Sequence, residues 1–132
     1  MTEQEPDFFA KAEESLAGAE SEFINSRYNN CANRCYYSCF QAAISALLSA
    51  GITPPGQRDE WGHDFVQAQF NGTLIKRRHL YPAEFRTILG SNFSLRVRAD
   101  YTEGTVTRTD AERALRRARL FVTAISEGGE RR

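Results

Sequence analysis

The segment Arg96-Val97-Arg98-Ala99-Asp100-Tyr101 is the densest cluster of chemically capable side chains in the 132-residue chain. Arg96 and Asp100 stand four residues apart, so on a helix they share one face and can pair. In that arrangement Arg96 can hold a phosphate by charge and forked hydrogen bonds, and Asp100 can orient Arg96. Tyr101 adds a hydroxyl at the edge, and Arg98 adds a second positive charge. Arg34, on a polar stripe of an upstream helix, is a further candidate for phosphate or RNA. Cleaving a phosphodiester would need a base, positive charge at the phosphate and an acid for the leaving oxygen. Arg96 and Arg98 supply the charge, and a phenol such as Tyr101 is a poor base at neutral pH. The segment therefore supports phosphate binding better than complete catalysis.

Three other patterns are weaker. Cys31, Cys35 and Cys39 recur every four residues along one helix edge. Thiolates bind zinc or iron–sulfur clusters, but the close Cys-x-x-Cys spacing and a fourth ligand are missing. The reading is three reduced, metal-free cysteines packed as small hydrophobes. Arg58 and His63 have an Arg-x4-His spacing that some helical ribonucleases use, yet they lie in and after a loop. His63 reads as a helix-start residue that fixes the loop. Arg113, Arg116, Arg117 and Arg119 form a basic band that either grips an RNA backbone or is an ordinary solvated face beside Asp110 and Glu112.

The elements that must position these residues are helical. Asp7 caps a first helix that runs to about Arg27, with Phe8, Phe9, Ala12, Leu16, Ala19 and Phe23 at helical spacing. A second helix runs from about Asn30 to Ala50 and stops at Gly51. Apolar residues cover most of its circumference, leaving Arg34, Ser38, Gln41 and Ser45 as a narrow polar stripe. That makes it the central helix, with the stripe facing either solvent or a polar cleft. A short third helix spans Gly62 to Phe70 and ends at Asn71-Gly72. Pro82 opens a fourth, which Gly90 and Ser91 mark for a kink. Thr109-Asp110-Ala111-Glu112 reads as the capping box of a fifth, which ends near Gly128-Gly129. The Phe93–Val97 and Gly104–Thr107 stretches are too short to suggest a sheet. The expected fold is an all-α, five-helix up-and-down bundle in a single domain over residues 7–127, with flexible termini at 1–6 and 128–132.

Composition sets the outer limits. The chain is 41% hydrophobic and 26% charged, with four prolines and nine glycines, which excludes collagenous and disordered classes. No apolar run approaches the ~20 residues of a membrane span. The acidic start, Met1-Thr2-Glu3-Gln4-Glu5, is unlike a secretory signal, so a cytoplasmic location is expected. Basic and acidic residues balance at 17 each, and fifteen of the basic ones are arginine. Their distribution is lopsided: residues 1–75 carry 4 basic and 10 acidic groups, and residues 76–119 carry 11 and 5. Such a chain can bind a second copy head to tail or offer a basic face to RNA or an acidic protein, or its charges can pair within the fold. Self-association as a homodimer is expected.

The residues then converge on a family. Asn33-Arg34-Cys35-Tyr36-Tyr37-Ser38-Cys39-Phe40-Gln41-Ala42-Ala43 resembles the Arg-x-Tyr-Tyr-x-x-Phe-x-Ala-Ala pattern of HEPN-domain proteins. His63-Asp64-Phe65-Val66, followed by Phe70, is similar to the family's third-helix positions. Arg96 to Tyr101 resembles the Arg-x-x-Ala-Asp-Tyr signature of one HEPN branch. The spacing of Ala111, Leu115, Ala118 and Phe121 also fits, so the resemblance covers about residues 8–125. It implies an all-α bundle that dimerises and an activity on RNA without metal or cofactor, as an endoribonuclease toxin or defence protein. It also implies a nucleotidyltransferase antitoxin as partner, able to modify a tyrosine of the motif, here Tyr101. The alternative is a non-catalytic module that binds a nucleotide or a protein. Active members carry a His behind the motif Arg. In this chain Asp100 and Tyr101 occupy that place, and Gln41 stands where the branch commonly has His after Phe.

Overall fold

The structure is a computed structural model that describes residues 7–56 and 60–130, with the backbone alone at 129 and 130. It is all-α. Five α-helices are present, α1 (Phe8–Ile24), α2 (Tyr28–Ser49), α3 (His63–Gln69), α4 (Ile88–Tyr101) and α5 (Arg108–Glu130), with no strand among the described residues. The helix α2 packs against α1, α3, α4 and α5 and is the centre of the bundle. Its buried residues include Cys35, Tyr36, Cys39, Ala43, Ile44 and Leu47, which is why so much of its circumference is apolar.

The ends of these helices follow their caps. Asp7 Oδ1 accepts the Ala10 backbone N–H at 2.9 Å and starts α1. At the end of α2, Ile52 N–H donates to Leu47 O at 2.9 Å and Gly51 N–H to Leu48 O at 3.0 Å. Gly51 itself has φ +80°, the left-handed conformation that this double closure requires. The turn between α1 and α2 is three residues, Asn25 to Arg27, so α2 begins at Tyr28, earlier than the turn-rich sequence suggests.

Four expectations are corrected. The chain does not stop at Asn71-Gly72 but continues as a π-helix, Phe70–Arg77. The wider turn lets Phe70, Leu74 and Ile75 all reach the core. Pro82 is extended and precedes a 3₁₀ turn, Ala83–Thr87, so α4 begins only at Ile88 and then runs unbroken through Gly90 and Ser91. The cap of α5 lies two residues before the expected Thr109. Asp110 N–H donates to Thr107 Oγ1 at 3.1 Å, and Thr107 N–H reaches Asp110 Oδ2 at 3.5 Å, a reciprocal box with aspartate at its third position. Finally, α5 continues past Gly128 to Glu130. A Cβ at Gly128 would sit 2.9 Å from Tyr81 Oη, so the missing side chain makes room for that ring. Residues 1–6 and 131–132, part of the expected flexible termini, lie outside the described residues, as does Arg58.

The polar stripe of α2 is divided: Arg34 lines an open cleft with Gly18, Glu22, Asn30 and Asn33, whereas Ser38 and Gln41 turn inward. Ser38 is fully buried and donates to Cys35 O at 2.8 Å, and the Gln41 amide meets the Ser15 hydroxyl of α1 at 2.7 Å. The Arg34 stem runs beside Gly18 of α1, where an added Cβ would make only ordinary van der Waals contact. No helix among the described residues is long and apolar enough to cross a membrane.

Candidate functional site

Three of the candidate residues meet at the C-terminal end of α4. Arg96 Nε lies 3.3 Å from Asp100 Oδ2, and Arg96 Nη2 lies 3.3 Å from Tyr101 Oη. The guanidinium sits among three aromatic faces, 5.6 Å from the centre of Tyr36, 5.3 Å from Tyr37 and 5.5 Å from Tyr101. Contacts of this length between a guanidinium and a π-face are attractive and hold the cation in one place. Arg96 is mostly covered, with 17% of its side chain exposed, whereas Tyr101 is 70% exposed. The site thus has an anchored positive charge beneath an exposed ring.

The anchoring reaches into α2. Asn33 Nδ2 donates to Asp100 Oδ2 at 2.8 Å, and Asn33 Oδ1 accepts from Arg34 Nη2 at 2.7 Å and Nε at 3.0 Å. Arg34 also lies over the Tyr37 ring at 5.1 Å. Arg34 therefore joins the cluster through Asn33, not by touching Arg96. The consecutive residues Asn33 and Arg34, with Tyr36 and Tyr37, form one wall of the site, and Arg96, Asp100 and Tyr101 form the other.

His63, assigned by sequence to the start of α3, belongs to the same assembly. Its Nδ1 and Tyr36 Oη share a hydrogen bond of 2.9 Å, and its ring stacks on Phe93 with centroids 3.8 Å apart. Burial holds His63 below the ordinary imidazole value, and the Arg96 charge pushes the same way, against Gln67 and Asp64. Burial likewise pushes the Tyr36 hydroxyl up, so it stays protonated and serves as a fixed polar tip. Tyr36 thus links an uncharged imidazole to the aromatic cage around Arg96. Sequence spacing gives no sign of this, because Tyr36, His63 and Arg96 come from three helices.

Arg98 is placed elsewhere. Two residues from Arg96 is about 200° around a helix, so the two side chains leave α4 on opposite sides. Arg98 pairs with Asp110 of α5. The three cysteines are free and buried, with Cys31 Sγ and Cys35 Sγ 3.9 Å apart. Burial pushes the Cys39 thiol up to about 12, so it packs as a neutral side chain in the core. No group of three or more His, Cys, Asp or Glu side chains among the described residues can hold a metal ion.

What the assembled cluster offers is a fixed guanidinium, a carboxylate that positions it, an exposed phenol and surrounding rings. These are the groups that bind a phosphate and an adjacent flat base. No curated protein matches the chain. The family model for the HEPN domain matches residues 6–128, nearly the whole length, and the chain belongs to the HEPN-domain family.

Proposed function

We propose that this HEPN protein is an RNA-directed toxin or defence protein of the branch with the Arg-x-x-Ala-Asp-Tyr signature. It grips the RNA backbone at Arg96 and cleaves it without a metal ion. The observation that carries this reading is the caged Arg96 guanidinium, tied to Asp100 and roofed by the exposed Tyr101. Arg96 supplies positive charge where the phosphate gains negative charge in the transition state. Tyr101 offers a stacking face to a base, and Arg34, held by Asn33, extends the basic surface. Two copies working together double the number of such sites, and the opposed charges of residues 1–75 and 76–119 favour a homodimer. A nucleotidyltransferase partner would act on the exposed Tyr101 hydroxyl.

A second reading, a non-catalytic module that binds a nucleotide or a protein, rests on one feature of the same cluster. Its proton-accepting groups are already engaged: His63 by Tyr36, and Asp100 by both Arg96 and Asn33.

The test is incubation of the purified protein with single-stranded RNA in excess chelator, alongside Arg96→Ala. Cleavage that survives chelator and falls at least a hundredfold in Arg96→Ala supports the first reading. RNA binding without cleavage in the wild type supports the second. Undiminished cleavage by a folded Arg96→Ala protein removes Arg96 from the site. Light scattering that gives a strict monomer at micromolar concentration removes the dimer.

A further inference from the structure

The face of α4 opposite Arg96 carries a second basic site. The helices α4 and α5 enclose an open cleft of about 370 Å³. Ser91, Ser94 and Arg98 line it from α4, and Asp110, Arg113 and Arg117 line it from α5. The two sets have the same helical spacing, three and then four residues, so each is one continuous stripe. Where neighbouring helices seal against each other, such stripes are apolar. Here they are polar and leave a gap.

Three guanidinium groups converge there against a single carboxylate, and that carboxylate is taken by Arg98. Neither Arg113 nor Arg117 has a carboxylate partner among the described residues. Arg117 is nevertheless half-buried and held in place. Its Nε donates to Asn92 Oδ1 at 2.8 Å, and the fully buried Asn92 is fixed in turn by its Nδ2, which donates to Ala114 O at 3.4 Å. Burial pulls Arg117 below the ordinary guanidinium value, and the neighbouring Arg113 charge pushes the same way, against Asp110. The Ser91 and Ser94 hydroxyls, exposed on the α4 side, make no hydrogen bond among the described residues and are available as donors.

Pockets for drug-sized organic ligands are mostly apolar. This cleft has one apolar lining residue, Leu95, and no aromatic ring. It can neutralise an anion but cannot stack on a base. We propose that the α4–α5 cleft binds a phosphate group, through Arg113 and Arg117 with the two serine hydroxyls, as a site separate from the Arg96 cluster. The phosphate is carried by an RNA strand or by a free nucleotide, which present the same chemistry to a cleft that reads no base. The assignment does not depend on any action of Arg96 on RNA.

The test uses fluorescence anisotropy with a labelled 5′-phosphorylated RNA decamer, and competition by ATP and by inorganic phosphate, in 50 to 200 mM KCl. Arg113 is exposed, so Arg113→Gln keeps the fold, as far-UV circular dichroism will verify. Arg113→Gln is expected to weaken RNA binding at least fivefold and to lower the slope of log affinity against log salt by roughly 0.7, the single-strand value for one lost phosphate contact. Inorganic phosphate should compete with the decamer in the wild type and fail to compete in Arg113→Gln. If ATP competes in the same way, the cleft takes phosphate from nucleotides as well. If inorganic phosphate competes and ATP does not, the strand is its ligand. Ser94→Ala should give a smaller loss in the same direction. Arg96→Ala should leave phosphate competition within twofold, even if it abolishes cleavage, so failure of one site is distinguishable from failure of the other. Equal affinities and salt slopes for wild type and Arg113→Gln would overturn the proposal, as would the absence of phosphate competition in the wild type.

Discussion

Tyr36 of α2 and His63 of α3 share a hydrogen bond of 2.9 Å, and through the Tyr36 ring that bond reaches the guanidinium of Arg96 on α4. Three helices are therefore joined at one point by one imidazole, one phenol and one cation. The short α3 contributes no residue to the Arg-x-x-Ala-Asp-Tyr block, yet it holds the aromatic wall against which Arg96 rests.

The pair makes stability depend on pH. His63 has its folded-state value below the unfolded one because burial disfavours the charged ring. Its contribution is therefore present in full above the unfolded value, about 6.5, and is lost as pH falls below it, because the unfolded chain takes up the proton more readily. The urea midpoint should drop as pH falls below about 6.5, and His63→Phe should flatten that part of the profile. Tyr36→Phe should cost about 1–2 kcal/mol at pH 7.5 by leaving the imidazole nitrogen without its partner. A profile identical in His63→Phe and wild type would contradict this.

Core substitutions should separate the centre from the rim. Phe121 is fully buried against Phe70 and Phe85, with ring centroids at 5.0 and 5.6 Å. Phe121→Ala should cost about 3–5 kcal/mol in chemical denaturation. Phe40 is only half-buried and stacks on Tyr36 at 5.5 Å, so Phe40→Ala should cost about 1–2 kcal/mol, below the full-burial value.

The register of the α5 cap gives a paired comparison. Thr107 and Asp110 close the box, while Thr109 is exposed inside the first turn. Thr107→Ala should destabilise by about 1 kcal/mol, and Thr107→Ser should restore most of it. Thr109→Ala should stay within about 0.5 kcal/mol of wild type. The reverse order, measured by thermal unfolding, would return the cap to Thr109.

Tyr101 should act through its surface. Its ring is 70% exposed, so Tyr101→Phe should leave the unfolding midpoint unchanged while removing the hydroxyl that meets Arg96. If a nucleotidyltransferase partner modifies the chain, intact-mass spectrometry should show a nucleotide-sized gain in the wild type and none in Tyr101→Phe. Tyr101→Ala, which also removes the stacking face, should weaken single-stranded RNA binding by about 1–3 kcal/mol.

The sequence determined what is encoded locally. Helical periodicity, the Asp7 cap and the stop at Gly51 place α1 and α2 closely, and the i, i+4 spacing places Arg96 beside Asp100, because these features depend only on residues within a turn or two of one another. Proximity in sequence groups Arg98 with Arg96, but two residues are about 200° on a helix, and Arg98 turns to Asp110 of α5 instead. Tertiary packing decided the rest. Asn33 reaches Asp100 across 67 residues, His63 reaches Tyr36 across 27, and Arg117 finds Asn92 across 25. None of these pairs has a local spacing that marks it. Each exists because α2, apolar on most sides, draws α3, α4 and α5 around it and brings their polar edges to the same points. The π-helix at Phe70–Arg77 has the same origin: Asn71 and Gly72 favour a stop, and the burial of Phe70, Leu74 and Ile75 in the shared core overrides it.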